Sequence, residues 1–199
     1  MRKPAVLAAT LGAATALFVG PALADGFSYN NIEARFISTE IEDVEPGVDL
    51  EGDGFAIAGS VEFGSTIHGF GTLSGTEYEE TIDVGALTAG LGFNHSLAPA
   101  LDLVTGVSYE RLKVEVDDSR NIEEGFGLHA GLRGRVGDNV ELTAGLKYTD
   151  YGDGLDDTTI MAGGRYYFSR NFALGLDYSE NDDGDTWALA FRYDFGNRY

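Results

Sequence analysis

Apolar and polar residues alternate along most of this chain. The order Phe55, Ile57, Gly59, Val61, Phe63 puts every second side chain on one face, and a period of two marks a strand with one covered face. Ten such stretches occur, over about 27–39, 54–63, 66–76, 83–94, 100–114, 125–136, 139–149, 158–168, 171–179 and 186–195. The last places Trp187, Leu189, Phe191, Tyr193 and Phe195 on one side. Aromatics recur at the two ends of these apolar faces. Tyr109, Phe126, Tyr148, Tyr178 and Trp187 fall at one level, Phe93, Phe168, Phe172 and Phe195 at the other, and Phe55 and Phe63 close the two ends of a single strand. Aliphatic residues lie between them, such as Leu128, Leu132, Leu142 and Leu146. Two aromatic girdles around an apolar band are the mark of a transmembrane barrel.

The pattern therefore predicts an all-β fold, an antiparallel up-and-down transmembrane β-barrel of ten strands. Eight is the alternative, because the first and third stretches alternate least cleanly. A soluble barrel or sandwich has the same alternation with its apolar face turned inward. The aromatic ends and the aromatic final strand argue for the membrane.

The opposite face carries small residues interrupted by charges: Glu33, Arg35, Glu62, Glu110, His129, Arg133, Arg135, Glu141, Lys147, Arg165, Asp177, Arg192 and Asp194. Both signs are represented, which predicts ion pairs filling a narrow lumen, since a barrel of this size has little free interior. The expected partners of Arg133, Arg135, Arg165 and Arg192 are Glu33, Glu110, Glu141 and Asp194.

Connections between the stretches alternate in character. Short ones (Gly64 to Thr66, His95 to Pro99, Gly137 to Asn139, Ser169 to Asn171) are expected on the periplasmic side, and longer acidic ones (Glu40 to Asp53, Glu77 to Thr81, Glu115 to Glu124, Asp150 to Asp157, Glu180 to Asp185) outside the cell.

At the N-terminus, Arg2 and Lys3 precede an apolar run from Ala5 to Val19 and the triplet Ala22-Leu23-Ala24. This reads as a secretory signal peptide over residues 1–24, leaving a barrel domain over 25–199. Of 13 Lys and Arg, the leader removes two, so 11 face 33 Asp and Glu, a formal charge of −22. Such a surface excludes nucleic acid as a partner, because that binding needs cationic side chains to displace counterions.

Chemistry is sparse. Of the three histidines, His68 and His95 sit near predicted periplasmic turns, and only His129 points inward with Arg133 on its face and Glu110 on the next strand. That pair has the form of a base oriented by a carboxylate, but it equally has the form of a hydrogen-bonded lumenal histidine. There is no cysteine, and no serine with a supporting base, so no catalytic residue and no enzyme is expected. Asp150, Asp153, Asp156 and Asp157, and then Asp182, Asp183 and Asp185, are weak calcium candidates. Their spacing matches no EF-hand, and Asp and Gly also build turns, so loosely held Ca²⁺ or Mg²⁺ is the stronger expectation and no cofactor is assigned.

The stretches FSYNNIEARF, GDGFAIAGSVEF, LGFNHSLAPALDLVTGVSYERLKVEVD and LTAGLKYTDY resemble small proteobacterial outer-membrane β-barrel proteins of the porin-like or barrel-domain type. The resemblance covers almost the whole mature chain and implies the fold and the outer membrane of a Gram-negative bacterium. It also implies outer-membrane lipid and lipopolysaccharide as surroundings, and the outer-membrane assembly machinery as a partner that reads Tyr193 and Phe195. It brings no catalytic residue. The expected role is envelope-structural or surface-interacting and non-enzymatic; a narrow cation-preferring channel is the alternative, and an outer-membrane enzyme a second one.

Overall fold

The computed structural model describes residues 27–195, apart from 46–47, 79–81, 117–118, 153 and the side chains of 42–48. The proposed leader and the last residues, Gly196 to Tyr199, lie outside the described part.

Ten strands form: β1 (Asn31–Glu45), β2 (Val48–Glu62), β3 (Ile67–Tyr78), β4 (Ile82–Ala98), β5 (Leu101–Val116), β6 (Ser119–Val136), β7 (Val140–Asp150), β8 (Asp156–Tyr167), β9 (Phe172–Asn181) and β10 (Gly184–Asp194). Each pairs antiparallel with its neighbours in sequence, and β1 pairs with β10 from Asn31↔Asp194 to Ile41↔Gly184, closing the barrel. Closure leaves no strand edge unpaired. The eight-stranded alternative is excluded.

The barrel is inside-out relative to a soluble one. Phe55 is 70 % exposed and Leu73 61 %, whereas Arg133, Lys147 and Asp194 have no accessible surface at all. Large apolar side chains stand outward and charges are interior, which is stable only where lipid covers the outer face. The girdle residues face outward: Phe63, Phe93, Tyr109, Phe126, Tyr148, Phe168, Phe172, Trp187 and Phe195 are exposed, with Tyr178 partly so and packed 4.7 Å from Trp187. Tyr193 is on the same face, 4.9 Å from Phe172.

Two expectations about boundaries are corrected. The first strand begins at Asn31, not 27, because residues 27–30 turn into the barrel. The long acidic connections are mostly strand: β1 and β2 continue to Glu45 and Val48, and β5 and β6 to Val116 and Ser119. Acidic residues read as loop composition, yet Glu40, Glu51, Glu77 and Asp83 are the outward positions of ribbons whose inward positions include the apolar Ile41, Leu50, Tyr78 and Val84. β1 to β6 are the long strands, 12 to 18 residues, and β7 to β10 the short ones, 10 to 12. At the other end the turns are tight, and Gly137 takes the left-handed φ of 64° that its turn requires. That short-turn end also carries residues 27 and 195.

Candidate functional site: the filled lumen

Every charged residue expected on the inner face lies there, and the side chains meet across the barrel rather than only along its wall. At the centre is one continuous network of four arginines and four carboxylates. Glu33 on β1 accepts from Arg35 at 2.5 Å and from Arg165 on β8 at 3.1 Å, and lies 3.7 Å from Arg192 on β10. Arg165 also holds Asp177 at 2.6 Å through Nη1 and 2.8 Å through Nη2, a bidentate clamp. Arg192 pairs with Asp194 at 2.7 Å and Glu141 at 3.4 Å, and Glu141 pairs with Arg133 at 2.5 Å. Four positive and four negative groups cancel. All eight are buried, and buried charges persist only when paired and hydrogen-bonded in this way.

Small inward residues make the room. A Cβ on Gly163 would run into the Asp177 carboxylate, and one on Gly175 would meet Nε of Arg165 at 2.6 Å. Each glycine gives room to a charged side chain from the next strand, and Gly175 is the seat on which the Arg165 side chain lies. The inward glycines thus have a packing role that their pattern of small residues alone does not disclose.

A second, smaller cluster lies toward the long-hairpin end. Glu110 is ion-paired with Lys147 at 3.0 Å and accepts from the hydroxyls of Thr88 at 2.7 Å and Ser108 at 2.5 Å. The expected carboxylate for the arginines therefore belongs to Lys147 instead, because Gly127 opens the wall where these two chains meet. His129 packs edge-on against Phe70, ring centroids 5.2 Å apart, over Gly106. The carboxylate that would orient a base is thus engaged by two hydroxyl donors and the Lys147 ammonium.

Above this cluster the lumen turns apolar. Ile41, Leu50, Tyr78, Val84, Leu112 and Val114, all inward on β1 to β5, form a buried cluster, with Tyr151 packed against it from the β7–β8 connection. Sequence reasoning missed this cap. The residues alternate with Glu40, Glu51, Glu77, Asp83 and Glu115, so the acidic composition concealed an apolar inner face.

The short-turn end is closed by the chain's own N-terminal segment. Phe27, Ser28 and Tyr29 are buried inside the mouth. The Phe27 ring lies 4.6 Å from the Arg133 guanidinium and 4.9 Å from that of Arg135, within cation–π range. Tyr29 stacks on His68 with centroids 3.9 Å apart. Glu62 accepts from the Tyr29 backbone N–H at 2.8 Å and from Asn30 Nδ2 at 2.9 Å. His68, expected to lie where nothing converges, is thus fully buried in this contact; His95 is exposed. Asp102 is also buried at this end and was not anticipated.

Two of the calcium candidates act as hydrogen-bond acceptors within the protein. Asp150 accepts from Gly152 N–H at 2.7 Å, and Asp157 from Thr159 and Asn181 at 3.1 and 3.2 Å. Asp153 lies outside the described residues. Among the described residues no three acidic or histidine side chains converge into a metal-holding group. Asp183, in the β9–β10 turn, has its carboxyl pushed up from the usual range by partial burial and by the nearby Asp157 and Asp182.

No protein-family model matches this chain, and no curated protein matches it. Solved structures do. The beta domain of the Bordetella autotransporter BrkA superposes with a TM-score of 0.51 at 14 % identity, over 84 % of this chain and 100 % of that one. The chain has the fold of a small bacterial outer-membrane β-barrel. The KdgM porin (TM-score 0.49, 12 % identity, 83 % and 99 % covered) and the translocator domain of autotransporter NalP from Neisseria meningitidis (0.48, 14 %, 86 % and 90 %) are further similar structures. A shared fold leaves the task of this barrel to its own residues.

Proposed function

We propose that this barrel is a non-enzymatic outer-membrane protein of a Gram-negative envelope, structural or surface-interacting, whose lumen does not serve as a solute path. The observation that carries this reading is the occupied interior: the N-terminal segment, the neutral arginine–carboxylate network and the apolar cap follow one another along the axis. Conduction needs a path on which binding is weak enough for ions to leave, and side chains paired across the axis offer none. In the membrane the short-turn end faces the periplasm and the acidic hairpins face outward, where divalent ions would bridge them to the phosphates of lipopolysaccharide. Tyr193 and Phe195 are the residues the assembly machinery would read. The absence of an enzymatic role is supported by Glu110, whose oxygens are taken by Lys147, Thr88 and Ser108.

The test is single-channel recording of the refolded protein in a planar bilayer, with folding verified by heat-dependent gel mobility. A folded, silent barrel is the expected result. Reproducible cation-selective steps that calcium reduces would overturn the reading in favour of a channel.

A further inference from the structure

The way residues 27–30 are held differs from the way a strand end is ordinarily tucked in. Both aromatic rings and several backbone groups of this short stretch meet a receptor on the barrel wall, although the buried Tyr29 hydroxyl has no hydrogen-bond partner among the described residues. The Phe27 ring has the two guanidiniums of Arg133 and Arg135. The Ser28 carbonyl accepts from Arg192 Nη2 at 3.0 Å and Arg133 Nη1 at 3.5 Å. The Tyr29 ring has His68, its N–H has Glu62, and its carbonyl accepts from the Ser60 hydroxyl. Asn30 exchanges two hydrogen bonds with Glu62, donating through Nδ2 at 2.9 Å and accepting from the Glu62 N–H at 3.1 Å.

Backbone acceptors and donors, together with two separate aromatic seats at alternate positions, are what a site needs to read an extended peptide. The seats are built: His68 and Arg133 are buried in the wall, and Gly92 leaves the space in which the His68 ring lies. We infer that the short-turn mouth of the lumen is a recognition site for an extended aromatic–x–aromatic peptide segment, and that Phe27-Ser28-Tyr29 occupies it in cis. Residues 27–29 lie outside the strand ladder, which begins at Asn31, so the site and its occupant are separable in a way that two paired strands are not. The inference rests on the closed-lumen reading above for its consequence, which is that emptying the site opens the mouth; its recognition chemistry does not depend on conductance.

The absence of native cysteine makes the test direct. Thr72→Cys places one thiol on the inward, buried face of β3. In the otherwise unaltered full chain, a maleimide added from the short-turn side is expected to label it slowly. With Phe27→Ala and Tyr29→Ala together, labelling is expected to accelerate at least about tenfold. The synthetic tetrapeptide Phe-Ser-Tyr-Asn added in trans should restore protection with a saturable dose dependence, and a peptide with both aromatics replaced by Ala should not. Adding His68→Ala should abolish the rescue. Unchanged labelling in the double variant would overturn the inference, as would acceleration that the tetrapeptide fails to reverse. If the double variant fails to show folded gel mobility, Glu62→Gln supplies a milder loosening, read with the same peptide and the same two refuting outcomes. A conducting wild-type barrel would refute the closed-lumen function while leaving the peptide-dependent protection intact, so the two failures are distinguishable.

Discussion

Replacing Glu33 with Ala tests the central network at its most connected carboxylate. Glu33 faces Arg35 at 2.5 Å, Arg165 at 3.1 Å and Arg192 at 3.7 Å, so its removal leaves four buried guanidiniums against three carboxylates. Arg165 retains Asp177 and Arg192 retains Glu141 and Asp194, but Arg35 loses its only ion-pair partner among the described residues. Breaking a buried pair from one side costs about 3–5 kcal/mol, and at this chain length each kcal/mol shifts Tm by roughly 2–4 °C. A fall of about 6–20 °C is therefore expected, read as the temperature at which the compact gel band gives way to the unfolded one. The control is the double variant Glu33→Met with Arg35→Met, which removes the charges as a matched pair. Hydrophobic replacement of a whole buried pair is neutral or stabilising by about 1–4 kcal/mol in comparable cases, so the double variant should recover most of the loss. If Glu33→Ala melts with the wild type, or if the double variant is worse than the single one, the network does not hold the lumen together by compensated burial and the reasoning fails.

Other outcomes follow from the cap and the turns. Leu112→Ala, at the buried centre of the apolar cap, should cost about 2–5 kcal/mol, while Leu112→Met should cost under about 1.5 kcal/mol; urea unfolding in detergent reads the difference. The raised carboxyl of Asp183 binds its proton more readily in the folded state than in the unfolded one. Stability should therefore decline as pH rises through the interval from the ordinary aspartate value to the raised one. Asp183→Asn should abolish that part of the decline and melt higher than wild type at pH 7, with the gap closing under acid; an equal gap at both pH values would refute the assignment.

The membrane-facing half of this structure was legible in the sequence because lipid imposes one rule on every outward position. Phe55, Ile57, Val61 and Phe63 read as a span in isolation, and the structure exposes all four. Which residues face inward was legible for the same reason, since the period of two assigns both faces together. What could not be read was the partner of each inward charge. Register sets how far along the axis a side chain sits, and long side chains then cross to non-neighbouring strands, as Arg165 on β8 does to Glu33 on β1. Glu110 went to Lys147 for this reason. The hairpins misled because their acidic outward positions mimic loops, and the N-terminal segment because FSYN alternates as a strand does while lacking a partner strand to pair with.

The pairs that make up the central network are also graded by distance along the chain. Arg35–Glu33 and Arg192–Asp194 each span two residues, Arg133–Glu141 eight and Arg165–Asp177 twelve. Each of these four pairs is neutral by itself and needs at most one hairpin to form. The remaining links, Arg192–Glu141 across 51 residues, Arg165–Glu33 across 132 and the longer Arg192–Glu33 contact, must await the meeting of distant strands. Short-range contacts form before long-range ones, because closing a longer loop carries a larger entropy cost. An open, still-inserting sheet would therefore enter the membrane with its arginines already neutralised locally. The links to Glu33 form only when β1 reaches β10, so they reward closure itself, and the same eight residues serve first as escorts for charge and afterwards as a latch.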